Sequence, residues 1–146
     1  MTSHSEKRIV PYQPEQLFDL VADVKRYPEF LPWCVGARVK SATERLVIAD
    51  LMIGYKLVRE RFTSKVFLDK ENNLIKTVFA DGPFKFLNNR WSFDEDESGC
   101  LIDFQVEFEF NSTFLQKIIV VLFSEAVERM VSAFEERAND LYKKDS

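Results

Sequence analysis

The sequence predicts an α+β fold in which a curved antiparallel sheet of six or seven strands surrounds one long C-terminal helix. Three patterns indicate this fold: a helical apolar periodicity at the end of the chain, strand-like runs before it, and short polar turns between those runs. Short links join neighbouring strands as antiparallel hairpins, so the runs are expected to form a meander. The 146 residues fit a single domain spanning 1–146, with an ordered core over about 8–142.

The first elements are short. Arg8–Val10 predicts a strand, and the residues before it are interpreted as a polar tail. Pro14 then opens a helix, because proline fits a first helical turn in which its missing N–H would have no partner. This helix is expected to end before Tyr27. The segment 27–34 holds two prolines among aromatic side chains, which predicts a stiff aromatic connection.

Six further strands follow the connection. Their predicted ranges are Val35–Ala42, Leu46–Ile53, Leu57–Leu68, Leu74–Ala80, Phe86–Phe93 and Leu101–Phe110. The last strand has the clearest alternation, since Phe104 and Phe108 share one parity and Asp103 and Glu107 the other, so one face meets the core and the other meets water. In the strand 57–68 the inner parity includes Glu60. Burying a lone carboxylate is costly, so Glu60 needs a partner, a water-filled cavity or an edge position.

The C-terminal helix is predicted to begin near Thr113, where Thr113 and Gln116 match a T-x-x-Q capping box. Apolar residues then recur at steps of three or four up to about Tyr142, which gives a helix about 45 Å long. The run 118–123 is apolar all round, so one side must meet a second apolar element or a surface that contacts lipid or a partner. This run is far shorter than the roughly 20 residues that cross a bilayer.

Composition limits the function. The net charge of −4 argues against nucleic-acid binding as a global property, and no DNA partner is expected, although a local basic face is compatible with it. The N-terminal residues lack an apolar signal segment, so a cytoplasmic location is expected. Cys34 and Cys100 lie 66 positions apart without a metal-binding spacing, which favours reduced structural thiols and no metal site.

Catalytic groups are scarce in this sequence. The one histidine, His4, falls in the predicted tail, where a positioned general base is not expected. No nucleophile elbow, phosphate-binding loop or metalloprotease motif is present in the sequence. We therefore expect no catalytic residues and a protein that is not an enzyme.

Large apolar side chains are expected between the sheet and the helix. A lining of this kind with few polar groups suits a flat or long hydrophobic ligand, whereas taken singly each residue fits a solid core equally well. The predicted lining residues are Tyr27, Trp33, Phe84, Trp91, Phe93, Phe104, Phe108, Phe123, Met130 and Phe134.

A basic stripe lies on the outward parity of the strand 57–68. It consists of Arg59, Arg61 and Lys65, and it is a candidate contact for RNA or anionic lipid. The alternative is a solvated face whose cations pair with neighbouring acids.

Several motifs follow one another over residues 8–142. They are Val10-Pro11-Tyr12, Asp23-Val24, Tyr27-Pro28, Phe30-Leu31-Pro32, Cys34 with Gly36, Asp81-Gly82-Pro83-Phe84-Lys85, Leu87, Trp91 with Phe93, Phe108-Glu109-Phe110, Met130-Val131, Ala133-Phe134 and Arg137-Ala138. Together they resemble the coenzyme Q-binding branch of the START-like (polyketide cyclase-like) superfamily.

The resemblance implies a helix-grip fold with two small helices after the first strand and a hydrophobic tunnel between sheet and helix. It adds Phe30, Leu31 and Leu87 to the tunnel lining and makes the segment 27–32 a lid at its mouth. The candidate rim or membrane contacts are Pro28, Pro32, Trp33, Ile118, Val121 and Leu122.

The resemblance also implies a function. Members of the branch include mitochondrial proteins that bind ubiquinone and support respiration, and a bacterial toxin that blocks the joining of ribosomal subunits. We expect a non-enzymatic carrier or chaperone for ubiquinone or a related isoprenoid lipid, with peripheral contact at the inner face of a membrane and no further cofactor. The alternatives are a toxin that binds the large ribosomal subunit and, third, an aromatic-ring cyclase that would use Glu60 as its acid or base.

Overall fold

The computed structural model describes residues 2–55 and 58–142. Within them the chain forms a seven-stranded antiparallel sheet, two short helices and one long helix. The elements are β1 (Thr2–Val10), α1 (Pro14–Ala22), a 3-10 helix (Val24–Glu29), β2 (Cys34–Ala42), β3 (Leu46–Tyr55), β4 (Val58–Asp69), β5 (Leu74–Asp81), β6 (Phe84–Asp96), β7 (Gly99–Phe110) and α2 (Thr113–Tyr142).

The strand order is β1-β7-β6-β5-β4-β3-β2, so β2 to β7 form the predicted meander and β1 is the edge strand beside β7. Register shifts in the β2–β3, β4–β5 and β6–β7 pairings mark bulges, which bend strands and help the sheet to curve around α2. The helix-grip fold and the two short helices after the first strand are confirmed.

The prediction that only Arg8–Val10 forms the first strand is wrong, because β1 begins at Thr2 and pairs with β7 along its whole length. Its inward side chains from Thr2 to Arg8 are polar, so no apolar alternation marks them in the sequence. The fold supplies partners instead: the His4 Nε2 lies 3.1 Å from Glu6, and the Arg8 guanidinium donates to Glu135 of α2 at 3.2 Å. His4 is therefore a half-buried strand residue rather than part of a tail.

The carboxylate of Glu6 is the centre of this seam between β1 and α2. Burial alone would raise the pKa of Glu6, but hydrogen bonds with His4 and Arg8 and their charges outweigh it, so the pKa is lowered from 4.5. The charged form of Glu6 is thus favoured, and it pairs with the Arg8 guanidinium. Arg8 in turn donates to Glu135 of α2.

Helix α2 begins at Thr113 as predicted, but its cap differs from the predicted box. The Ser112 hydroxyl accepts a hydrogen bond from the Leu115 N–H at 3.2 Å, which makes Ser112 the N-cap. The Gln116 amide turns away from Thr113: its Oε1 accepts from the Phe110 N–H at 2.9 Å and its Nε2 donates to the Thr2 hydroxyl at 2.8 Å.

The two halves of α2 pack differently. In the second half Val127, Val131, Phe134 and Ala138 recur at helical spacing and are buried against the sheet and the short helices. The first half buries Ile119 and Phe123 towards the sheet, and three of its described apolar side chains are exposed on its other side. These are Phe114 (67% exposed), Val120 (65%) and Val121 (81%), and they are called the exposed helix face below.

A candidate ligand-binding cavity

A cavity of about 200 Å³ lies between the inner face of the sheet and α2. An apolar cavity of roughly 150 Å³ already holds benzene in a protein of known structure. The volume found here therefore admits a ring with a short substituent. A longer chain on that ring has to extend beyond this space.

Eleven of the thirteen side chains predicted to line a tunnel do line the cavity, and their role in binding a ligand remains a prediction. They are Tyr27, Leu31, Trp33, Phe84, Leu87, Trp91, Phe104, Phe108, Phe123, Met130 and Phe134. Further lining residues are Leu51, Ile53, Phe62, Val66, Val106, Phe110, Ile119, Ala126 and Val127, most of which share the inward parity or helical face of predicted ones.

Phe30 and Phe93 are the two predicted lining residues that lie elsewhere. Phe30 packs behind Phe134, with ring centroids 5.1 Å apart, and the Arg137 guanidinium lies 5.2 Å from the Phe30 ring centroid. Phe93 has the predicted inward parity, but α1 covers that end of the sheet and Phe18 packs against it at 6.4 Å. Both rings support the cavity wall without reaching its surface.

One end of the cavity is formed by an aromatic cluster around Phe134. The Phe134 ring centroid lies 5.1 Å from that of Trp91 and 5.4 Å from that of Tyr27, and Trp91 lies 4.5 Å from Phe104. The Tyr27 hydroxyl donates a hydrogen bond to the Val21 carbonyl. Burial raises the pKa of Tyr27, so it is a neutral ring whose one polar atom is already bonded.

The other end is formed by a second aromatic cluster around Phe84. Its ring centroid lies 4.9 Å from Phe110, 5.2 Å from Phe62 and 5.9 Å from Phe108. The turn before Phe84 needs Gly82, whose φ is +150° and whose added Cβ would lie 2.5 Å from the Phe62 Cβ. This glycine lets the turn approach β4 closely and so closes the cavity at that end.

Three polar side chains lie on the sheet wall between the two clusters, and together they are called the polar patch. Thr77 of β5 is opposite Asn89 of β6 and beside Val66 of β4, and Ser64 is the next inward residue of β4. Trp91 follows Asn89 on the inward side of β6. The patch was not predicted, because each residue is an isolated polar position in its own strand and only the register brings the three together.

The cavity wall carries no charge. All of its lining residues within 2–55 and 58–142 are neutral. Glu60 is half-buried and shares the parity of Phe62, but it does not line the cavity. A cyclase that uses Glu60 as its acid or base therefore lacks support from this geometry.

Other reactive groups lie outside the cavity or are held in an unreactive form. Cys34 and Cys100 are buried free thiols, and burial raises the pKa of Cys34 to about 11 and that of Cys100 to about 12. In the part of the chain that the structure describes, no group of three or more His, Cys, Asp or Glu side chains is placed to hold a metal ion.

The predicted rim residues fall into two groups. Pro28 and Pro32 are exposed beside the lining residues Leu31 and Trp33, and Trp33 is itself half-exposed. On α2, Ile118 is half-exposed and Val121 belongs to the exposed helix face, whereas the side chain of Leu122 lies outside the described residues.

The outer face of the sheet is basic where β2 to β6 lie side by side. Arg59, Arg61 and Lys65 of β4 are exposed there, as predicted from parity. Pairing adds Arg38 on β2, Lys76 on β5 and Arg90 on β6, all exposed. These six cations are called the basic outer face, and the apolar side chains of Met52 and Phe67 are exposed among them.

Asp50 of β3 is an acid that lies within the basic outer face. The Thr63 hydroxyl donates a hydrogen bond to it, and the Lys40 Nζ lies 3.8 Å from its Oδ1. The Thr63 hydrogen bond, followed by the charges of Lys40, Arg61 and Arg38, lowers the pKa of Asp50. One carboxylate thus offsets part of the positive charge, and the face remains basic.

Sheet, helix and cavity together define the class: a helix-grip, START-like protein whose curved sheet holds a long helix over an apolar space. The chain belongs to the family described as polyketide cyclase / dehydrase and lipid transport, which matches residues 10–135. The family predicted from the motifs is therefore confirmed.

Known relatives include proteins named for ribosome association and for coenzyme Q binding. The ribosome association toxin RatA of Rickettsia prowazekii is 40% identical over 146 residues, with 98% of this chain and all of that protein covered. The coenzyme Q-binding protein COQ10 homolog B of Xenopus laevis is 35% identical over 144 residues, with 95% of this chain but only 59% of that protein covered.

A solved structure supports the same relationship. The 18 kDa protein CC1736 of Caulobacter crescentus is 34% identical, and the two superpose with a TM-score of 0.79 over 99% of this chain and all of that one. Among the described residues, no helix has both the length and the hydropathy needed to cross a bilayer.

Proposed function

We propose that the chain is a non-enzymatic carrier or chaperone that binds a neutral hydrophobic ligand in the cavity, with ubiquinone or a related isoprenoid quinone as the ligand. The observation that supports this most is the cavity itself, whose described lining is aromatic and aliphatic and carries no charge. The relationship to a protein named for coenzyme Q binding supports the choice of ligand.

Burial of apolar surface supplies the affinity for such a ligand. Each methylene removed from water is worth about 0.8 kcal/mol, so a ring and a few carbons of its chain bind tightly without many hydrogen bonds. An ionised head group would lose its hydration and gain no counter-charge from the described lining. The cavity therefore selects neutral over charged ligands.

The exposed helix face is the proposed membrane contact. A carrier of a water-insoluble lipid has to collect its cargo at a bilayer, and Phe114, Val120 and Val121 present apolar side chains to the surface beside the exposed Lys117. Apolar side chains with a neighbouring cation suit peripheral contact with an anionic bilayer. At the cavity, Trp33 adds an indole that suits a boundary between apolar and wet surroundings.

The test uses the two tryptophans, Trp33 and Trp91, which both line the cavity. Decyl-ubiquinone added to delipidated protein is expected to quench their fluorescence to saturation, and organic extraction of the purified protein is expected to release a quinone or isoprenoid lipid. Ala126→Phe fills the cavity from α2 and should abolish the saturable quenching, whereas Ala80→Phe at an exposed site on β5 should not. A protein that neither carries nor takes up a quinone or lipid contradicts the proposal.

A second candidate function is binding to the large ribosomal subunit, and the basic outer face favours it. Six exposed cations with Met52 and Phe67 among them suit the phosphates and unstacked bases of RNA. The relationship to ribosome association toxins over the whole length of both chains supports this candidate.

Its test is co-sedimentation with large subunits between about 50 and about 200 mM salt, because phosphate contacts weaken steeply over that range. Reversing Arg59, Arg61 and Lys65 to Glu is expected to remove most of the binding. Reversing three exposed lysines elsewhere, Lys25, Lys70 and Lys117, changes the net charge equally and should leave most of it. Equal sedimentation of the first variant and the parent would exclude this face as the contact.

A further inference from the structure

We infer that Ser64, Thr77 and Asn89 form a recognition site for a neutral carbonyl or hydroxyl oxygen, carried on a ring that lies between the two aromatic clusters. The inference rests on the proposed function, because it assigns the polar end of the ligand that the cavity binds. It also sets the orientation of that ligand, with the oxygen-bearing ring inside and the chain extending outwards.

The position of the polar patch suits a ring held between the two aromatic clusters. The polar patch lies midway along the sheet wall, because Trp91 follows Asn89 on one side and Phe62 precedes Ser64 on the other. A planar ring placed over the patch has the Phe134 cluster at one edge and the Phe84 cluster at the opposite edge. Aromatic pairs at centroid distances of about 5 Å already line both ends, so a bound ring extends an existing arrangement.

The polar patch has unused hydrogen-bonding groups that can face a ligand. The Ser64 hydroxyl is fully buried and its hydrogen is directed to the Ala49 carbonyl at 3.4 Å, which leaves its oxygen able to accept. Asn89 uses one N–H on the Gln105 carbonyl at 3.1 Å and has a second to donate. With the Thr77 hydroxyl beside them, the patch can donate to a carbonyl and can also accept from a hydroxyl.

The described lining has no charged side chain, and this narrows the class of ligand that the polar patch can bind. Lysine, arginine and histidine are absent from the described lining, so a carboxylate or phosphate over the patch would have hydrogen bonds but no counter-charge. A carbonyl oxygen needs only the hydrogen bonds. The ligand class is therefore a neutral, ring-bearing ketone, quinone or alcohol, and fatty acids or phospholipids would enter only with their charged heads outside.

The experiment compares one variant with two ligands of equal chain length. Decyl-ubiquinone carries ring oxygens, and phenyldecane carries none; the first is followed by tryptophan quenching and the second by its competition with the first. Thr77→Val keeps the shape of the side chain and a strand-favouring residue, and it removes the hydroxyl. We expect it to weaken decyl-ubiquinone binding about three- to tenfold, the value of one hydrogen bond, and to change phenyldecane binding less than about twofold.

Thr77→Ser, which retains the hydroxyl, is expected to bind decyl-ubiquinone within about twofold of the parent, whereas a merely structural role would be sensitive to the lost methyl group. Ser64→Ala is expected to leave decyl-ubiquinone binding within about twofold of the parent, because the Ser64 hydrogen is directed to the Ala49 carbonyl and its oxygen can only accept. If Thr77→Val weakens both ligands equally, or neither, the polar patch is not a recognition site and the carrier function stands. If the parent binds neither ligand, the proposed function and the inference both fail.

Discussion

Strand β4 presents two unlike surfaces within a dozen residues. Its even-numbered side chains Phe62, Ser64 and Val66 line the cavity, and its odd-numbered neighbours Arg61 and Lys65 are exposed on the basic outer face. From Arg61 to Lys65 the same strand is thus uncharged on its cavity side and cationic on its outer side. Because side chains alternate across a strand, one sheet can carry a lipid site and a polyanion site without either disturbing the other.

Two independent surfaces on one strand are compatible with a family whose members are named for coenzyme Q binding and for ribosome association. A cavity wall and an outer face vary independently when they use alternate residues. Substitutions on one face of the strand are therefore expected to leave the other face intact.

The largest expected effect is a loss in the free energy of unfolding. It should differ sharply between two phenylalanines of β4. Phe62 is 6% exposed and packs on Phe84, whereas Phe67 is 43% exposed on the outer face. Phe62→Ala leaves a cavity in the core and should lower the free energy of unfolding by about 3–5 kcal/mol. Phe67→Ala should cost about 1 kcal/mol or less. Urea denaturation measures both, and similar losses for the two variants would contradict the division between the faces.

A smaller effect is expected at the exposed helix face, where an apolar surface faces outwards. Val121→Glu places a charge at the proposed membrane contact and should weaken binding to anionic vesicles about tenfold, since the valine loses its burial in the bilayer. Leu141→Glu makes the same kind of change at another exposed position of α2 and serves as the control. Equal vesicle binding by the parent and both variants would show that this face does not contact lipid.

The smallest expected effect concerns Asp50 on the outer face. Its folded pKa lies below 3.8, so its ionised form stabilises the fold above that pH, and this contribution is lost as the pH falls through the folded pKa. Asp50→Asn should be less stable than the parent at neutral pH, and the gap should close below pH 3.8. Urea midpoints across this range measure the gap, and a gap that stays constant or widens in acid would contradict the assignment.

The sequence predicted the elements that rest on local patterns. Alternation in β7 and the apolar periodicity of α2 depend on neighbouring residues. β7 ends where predicted, at Phe110, and α2 is helical up to Tyr142, the last residue that the structure describes. The outward parity of Arg59, Arg61 and Lys65 was predictable for the same reason.

Features that depend on distant partners were not predictable. The predicted first strand was shorter than β1 because Thr2, His4 and Glu6 bring no apolar residues to its inner face. The α2 residue that accepts a hydrogen bond from Arg8 is Glu135, which lies 127 positions away in the sequence. The polar patch depends on the register of three strands. Phe93 was placed in the cavity because parity does not reveal that α1 covers its end of the sheet.

The proposed function requires the space between sheet and helix to be a binding site rather than an incidental gap in the core. Intermolecular NOEs between decyl-ubiquinone and the methyl groups of the protein test it most directly. We expect contacts to Thr77, Val66 and Val106 on the sheet and to Ala126 and Val127 on α2 in the same complex. Contacts confined to exposed methyl groups such as Val121, or none at saturating ligand, would contradict the account.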